Sequence, residues 1–239
     1  MSGIVPPHWH GHHGLGACGD RLDRLYVATS RCARPIRVLA VDDHLLMQEG
    51  IASVIGVQPD MVLVAQARSG EEAVEQFARH HPDITLMDLR LPAMSGAEAI
   101  REIRHQQPDA RVIVLTMYQG DEDIYRAMEA GAQAYLLKDT LSDRLICTIR
   151  EVHAGRRVVP PEIAAALERR ASRPSLTYRE RQVLELLAAG QRNKEIAAAL
   201  RIGVDTANDH VKRIFVKLGV HDRTAALVEA LRQGIIHLN

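Results

Sequence analysis

From Ile36 onward, five short apolar runs alternate with amphipathic stretches of helical period, and this alternation restricts the fold more than any other feature of the chain. The runs are IRVLAV at 36–41, MVLVAQA at 61–67, DITLMD at 83–88, RVIVLT at 111–116 and AYLLK at 134–138. The helical patterns fall near 45–55, 70–80, 96–106, 121–130 and 142–154. Strands separated by helices pair in parallel, and near-continuous Val/Ile/Leu strands need cover on both faces. The expected fold is therefore α/β, a doubly wound five-stranded parallel sheet. Ser69 with Glu72 and Ser95 with Glu98 have the spacing of capping boxes, and Gly131 is placed to end the fourth helix.

After Gly155 the pattern changes. RRVVPPEIAAALERRASRPS carries a proline pair, a short Ala-rich helix candidate and a basic end, and reads as a partly helical linker over 155–174. From Leu176 only helical patterns remain. Thr177 and Glu180 open the first, Gly190 follows it, and further helices are expected at 193–200, 204–218 and from Asp222 to before Gly234. Short helices joined by tight turns suit a second, smaller all-α helix-turn-helix domain over 175–239.

Charge supports the division. Residues 36–154 carry 19 acidic residues against 11 Lys and Arg, whereas 175–239 carry 7 against 10. An acidic domain joined to a mildly basic one points to different partners, the basic one suiting a polyanion. Residues 1–35 hold scattered Pro and Gly and a cluster of His8, His10, His12 and His13 without a sustained period, and are expected to be a disordered leader. No Cys or carboxylate spacing completes a metal site there. Cys18, Cys32 and Cys147 have no paired spacing, which fits a reducing compartment, and Cys147 reads as a buried free thiol. No run approaches the roughly 20 apolar residues of a membrane span, and no secretory signal is recognisable. The expected location is cytoplasmic, with no membrane partner.

All strands of a parallel sheet end at one edge, where ligands gather. The first run ends at Asp42 and Asp43, the third at Asp88, the fourth at Thr116 and the fifth at Lys138. Three carboxylates, a hydroxyl and an ammonium therefore share a rim. Carboxylates so close repel one another and call for a cation, and hard oxygen ligands suit Mg²⁺. A carboxylate beside that ion can attack a phosphoryl group while the metal and Lys138 neutralise its oxygens. Thr116 can donate to a phosphoryl oxygen. A phosphohydrolase with an aspartyl-phosphate needs an acid/base carboxylate two residues after its nucleophile. Arg90 stands there, so the chain reads as no enzyme.

The pieces VDDH, LMDLRLPAMSG, VIVLTMY and AYLLKD resemble a two-component receiver domain over 36–154. The resemblance implies that Asp88 is the phosphoacceptor for a sensor histidine kinase. It further implies that Asp43 ligates Mg²⁺ directly and Asp42 through water, while the Arg90 main-chain carbonyl completes the protein ligands. Tyr135 matches the family's switch aromatic, which turns inward as Thr116 moves. Asp139 departs from the family, in which proline often follows the lysine.

In the third helix of the tail, Ala207, Val211, Ile214, Phe215 and Leu218 share one face, while Asn208, Asp209, Lys212 and Val216 point away. Lys194 opens the preceding helix, where its ammonium and free amides can meet a phosphate. Asn can bond adenine bidentately, Lys can reach guanine and Asp can accept from cytosine. A protein-binding helical bundle is the alternative for this face. LTYRERQVLELLAAG, NKEIAAAL, HVKRIFVKLGV and DRTAAL resemble a LuxR-type helix-turn-helix, and the two domains together resemble the NarL/FixJ class of response regulators. That resemblance implies double-stranded DNA as partner, with the third tail helix in the major groove of paired half-sites, and a homodimer when phosphorylated. The usual Thr-Val-Lys is here Thr206-Ala207-Asn208, followed by acidic Asp209, and Gly203 replaces a Ser or Thr cap.

Overall fold

The computed structural model describes residues 34–117, 120–138 and 143–236, which divide into two compact units. The histidine-rich leader, Cys18, Cys32 and Asp139 lie outside the described residues.

The first unit is a five-stranded parallel sheet of β1 (Ile36–Val41), β2 (Met61–Ala67), β3 (Ile84–Met87), β4 (Val112–Thr116) and β5 (Ala134–Leu137). Each strand forms within one residue of its predicted ends. Their order is β2-β1-β3-β4-β5. The central strands β3 and β4 are buried at every position, as apolar strands covered on both faces must be. Edge strand β2 exposes Val62 and Gln66. The helices of this unit are α1 (Leu45–Gly56), α2 (Gly70–His80) and α3 (Gly96–Gln106), followed after α4 (Asp121–Glu129) by α5 (Asp143–His153). Ile51 and Ile55 of α1 with Leu145, Ile149 and Val152 of α5 join Val38, Leu86 and Ile113 of the sheet in one apolar core. The thiol of Cys147 is half-buried rather than buried.

The caps follow the sequence with one difference. Ser95 and Glu98 form the full reciprocal box at α3, Ser95 N–H donating to Glu98 at 3.0 Å. At α2, Ser69 accepts from Glu72 N–H at 3.2 Å, but the Glu72 carboxylate takes the Arg68 N–H at 2.7 Å, one residue outside the cap. Gly131 follows α4 with φ +106°, a left-handed conformation open to glycine. The start of the expected linker is not free of the sheet: Val158 bridges Ala134 in parallel and packs on the core.

The second unit comprises α4 and the chain from Pro160. The linker's helix is α6 (Pro161–Ala171), started by a proline at its first position and burying Ile163, Ala166 and Leu167. Helix α4 packs on α6. Asp121 pairs with Arg169 at 2.8 Å and Arg173 at 2.9 Å, and Glu122 pairs with Arg170 and, at 2.9 Å, Arg181. The acidic start of one helix thus meets the basic end of another, which charge counts by domain could not reveal.

Four tail helices complete this unit: α7 (Tyr178–Ala188), α8 (Asn193–Leu200), α9 (Val204–Leu218) and α10 (Arg223–Arg232). Val183, Leu184 and Leu187 of α7, Ile196 of α8 and Ala207, Val211 and Ile214 of α9 share its core with Ala230 of α10. Thr177 and Glu180 form the expected box, and buried Glu180 also receives Lys217 at 2.7 Å. Burial favours the neutral acid there, but the bonds from Lys217 and Thr177 prevail and hold the Glu180 carboxyl below its ordinary range. Gly203 caps α9 with no side-chain hydrogen bond, as its lack of a side chain requires.

Candidate functional site

The strand order reverses between β1 and β3, and the crevice beyond their carboxyl ends is where an open α/β sheet holds its ligand. Asp42 follows β1 directly and Asp88 follows β3 directly. Both are almost wholly buried, at 1% and 3% exposure, an environment hostile to charge unless paired. Lys138, also buried, answers both: its Nζ lies 2.6 Å from Asp42 Oδ2 and 2.6 Å from Asp88 Oδ2. Asp43 is half-exposed at the mouth. The carboxylates of Asp42, Asp43 and Asp88 and the imidazole of His44 offer ligand atoms all within 4.8 Å of one another. Thr116 ends β4, fully buried, and pairs in register with Leu137, the residue before Lys138. Asp42, Asp43, Asp88, Thr116 and Lys138, singled out from sequence, lie at the strand ends that form this rim.

Burial raises the Asp88 carboxyl above its ordinary value of 3.8, against the pull of the Lys138 hydrogen bond and charge. The Lys138 ammonium is opposed by burial too, but its bonds to Asp42 and Asp88 raise it above its ordinary 10.5 and keep it charged. Two buried carboxylates and one ammonium leave the rim with excess negative charge. Asp42 Oδ2 has only the shared Lys138 ammonium beside it, and Asp43 Oδ1 only the His44 imidazole, so both oxygens keep lone pairs to offer. Oxygen atoms of this kind, gathered and under-satisfied, fit a hard divalent cation.

Neighbours hold the rim in shape, and of these only Arg90 is singled out by the sequence. His44 N–H donates to Asp42 Oδ1 at 3.0 Å, and His44 Nδ1 lies 2.7 Å from Asp43 Oδ1. Buried Gln48 on α1 donates through Nε2 to the Asp42 carbonyl at 2.9 Å and the Ala67 carbonyl at 2.8 Å, tying the ends of β1 and β2 together. Arg90 N–H donates to Asp88 Oδ1 at 3.3 Å. Gly96 lies so close behind the Asp88 loop that a Cβ there would stand 2.0 Å from the Asp88 carbonyl oxygen. The VDDH motif made His44 legible as a neighbour. A lone polar residue in an apolar helical stripe was the only signal for Gln48. Tyr135, the expected switch aromatic, is fully buried in β5.

In the second unit, Lys194, Asp209 and Lys212 are exposed, and Val216 stands 80% exposed on the same side of α9. Ala207, Val211 and Ile214 are buried on the opposite side, and Phe215 and Leu218 pack partly buried against them, as the periodicity indicated. Asn208 differs from the expectation of an outward residue. It is half-buried, and its Oδ1 accepts from Asn193 Nδ2 at 2.7 Å across the turn between α8 and α9. Asn193 was not singled out, because a contact between residues 15 apart has no local signature.

Comparison with known proteins finds two families along the chain, the first match running through α4. Residues 38–150 match the model of the response regulator receiver domain, and residues 174–230 match that of the bacterial regulatory proteins of the luxR family. The response regulator protein VraR of Staphylococcus saprophyticus is 36% identical over 207 residues, covering 84% of this chain and 99% of the relative. The crystal structure of ChrA, the response regulator of a heme-sensing two-component system, is 34% identical with a TM-score of 0.52, covering 85% of this chain and 100% of that one. A complex of the response regulator RcsB with DNA, 23% identical at a TM-score of 0.60, covers 83% of this chain and 99% of that one and shares the fold. The chain belongs to the two-component response regulators that join a receiver domain to a LuxR-type helix-turn-helix.

Proposed function

We propose that this protein is a transcription regulator in which a phosphoryl group on Asp88 controls binding to double-stranded DNA. The observation that carries the reading is the rim itself: Asp88 shares Lys138 with Asp42 at a buried sheet edge, in a chain that ends in a LuxR-type tail. The receiver spans 36–154, a linker 155–174 and the DNA-binding domain 175–239. The donor is the phosphohistidine of a sensor kinase. An Asp88 carboxylate oxygen attacks phosphorus, the phosphorus–nitrogen bond breaks, and the imidazole leaves with its electron pair. Asp43, Asp42, Asp88 and the Arg90 main-chain carbonyl would hold Mg²⁺, which when bound neutralises carboxylate and phosphoryl charge. Lys138 holds one phosphoryl oxygen, and Thr116 donates to another. Tyr135, buried beside that strand, registers the movement of Thr116. The chain acts as a regulator in the cytoplasm and has no hydrolase activity of its own. No described helix is long and apolar enough to cross a membrane.

In the tail, Lys194 and Lys212 face phosphates or bases, with Asn208 and Asp209 between them on α9. A homodimer places two weak modules on paired half-sites, and linking them raises apparent affinity by about 10²-fold or more. Treating the full chain with acetyl phosphate and Mg²⁺ is accordingly expected to tighten binding to a selected duplex at least tenfold. The same affinity should fall with log salt at a slope of roughly −0.9 per phosphate contacted. Equal affinity with and without acetyl phosphate would remove the switch from this reading. Binding insensitive to salt would remove the DNA.

A further inference from the structure

We infer that Asn193 is a positioning residue that fixes which end of the Asn208 amide is offered to DNA, so that α9 selects guanine over adenine at one position of each half-site. The inference rests on the DNA-binding reading of α9 and adds to it a base preference and the residue that sets it.

An asparagine amide is a planar group with an acceptor on one branch and two donors on the other, and it reads a base according to which branch faces outward. In the sequence, Asn208 stands free and can present both branches to adenine, accepting from N6 and donating to N7. The fold takes that freedom away. Asn193 opens α8 and reaches across the turn, its Nδ2 2.7 Å from Asn208 Oδ1. The oxygen of Asn208 is thereby committed inward, and the half-burial of both side chains holds the pair together. What remains to be offered is the NH₂. Its hydrogens match an edge made of acceptors. Guanine presents two in the major groove, N7 and O6, whereas adenine presents N7 beside an amino group. A donor aimed at that amino group finds no partner, and a buried donor without one is costly. Asn208 also lies one helical turn before Lys212, another donor side chain, so the two are placed on the same stripe of α9.

The test uses the full chain, phosphorylated with acetyl phosphate, and a duplex recovered by selection from a random double-stranded library. Affinities are then measured for that duplex and its single-base variants at fixed salt. Asn208→Ala identifies the position read, as the one where discrimination is lost. There the wild-type chain is expected to favour guanine over adenine by about tenfold. Asn193→Ala releases the amide and is expected to erase most of that ratio. Asn193→Asp supplies an acceptor in place of a donor, so Asn208 turns its NH₂ inward and its oxygen outward, and the preference is expected to invert toward adenine. The added charge weakens every duplex alike, and the guanine-to-adenine ratio within one variant removes that loss. A merely structural role for Asn193 cannot produce an inversion. An unchanged ratio in both Asn193 variants, each with a wild-type melting temperature, overturns the inference while leaving DNA binding intact. Failure of the wild-type chain to bind any duplex overturns both.

Discussion

Asp88→Asn is expected to reduce phosphoryl incorporation from acetyl phosphate to background, because an amide has no carboxylate oxygen with which to attack phosphorus. The loss is read by labelling the full chain and mapping the label to the peptide that holds position 88. Asp42 and Asp43 remain in this variant, so the experiment also asks whether a neighbour can take over. Asp42 is almost completely buried and committed to Lys138 and to the His44 amide, and Asp43 is engaged by His44. Retained labelling would move the acceptor to one of them. The same variant has a second, independent signature in the metal-free protein. Burial raises the Asp88 carboxyl above its ordinary 3.8 despite Lys138, so the folded state holds that proton more tightly than the unfolded chain does. Stability therefore falls as pH rises from about 3.8 through the folded-state value, because the charge must then be carried in a buried place. Asparagine has no such charge. The advantage of Asp88→Asn over the wild type in thermal melts should open across that window, persist at neutral pH, and shrink when Mg²⁺ is added.

A second large effect is expected at a residue with no functional group. Gly96→Ala brings a methyl 2.0 Å from the Asp88 carbonyl oxygen and 2.8 Å from Leu89 Cα, and both obstacles are backbone. Side-chain repacking cannot relieve this, so either α3 or the loop after β3 must shift. The Gly96 N–H bond to the Leu89 carbonyl, 3.0 Å long, ties these two segments and strains with them. Overpacking of this kind costs at least about 2 kcal/mol, or roughly 6–12 °C in melting temperature for a unit of this size. Phosphoryl incorporation at Asp88 should slow as well, since the displaced backbone carries the acceptor. Gly50→Ala is the control. Gly50 lies exposed within α1 with nothing within 4 Å of a Cβ, and alanine there should stabilise by about 0.5–1 kcal/mol. Equal effects of the two substitutions would mean that the close approach at Gly96 is without consequence.

The parts of the molecule legible in the sequence are those written by periodicity. Apolar runs set the strands, their alternation with helices set the parallel sheet, and the sheet's common edge brought Asp42, Asp88, Thr116 and Lys138 together before any coordinates were needed. The inward face of α9 was legible for the same reason: Ala207, Val211 and Ile214 recur at helical spacing and are buried. What could not be read depends on contacts between residues far apart in the chain. Glu72 has capping-box spacing from Ser69, yet its carboxylate goes one residue further out. Helix α4 looked like an ordinary member of an α/β layer, and its Asp121 and Glu122 instead meet four arginines from outside the helix, three of them from the segment read as linker. Asn208 looked outward by helical phase, but the tie from Asn193 depends on the angle at which α8 and α9 cross. Gly96 carried the cap signal of Ser95 beside it, and its nearness to Asp88 is a property of the assembled loop.

The central assignment is tested most directly by a crystal structure of the full chain grown with beryllofluoride and Mg²⁺. A tetrahedral adduct on an Asp88 carboxylate oxygen is expected, touched by Lys138 and Thr116, with the cation among Asp42, Asp43 and Asp88. A bare Asp88 and an empty rim under those conditions, or an adduct on a different side chain, would contradict it.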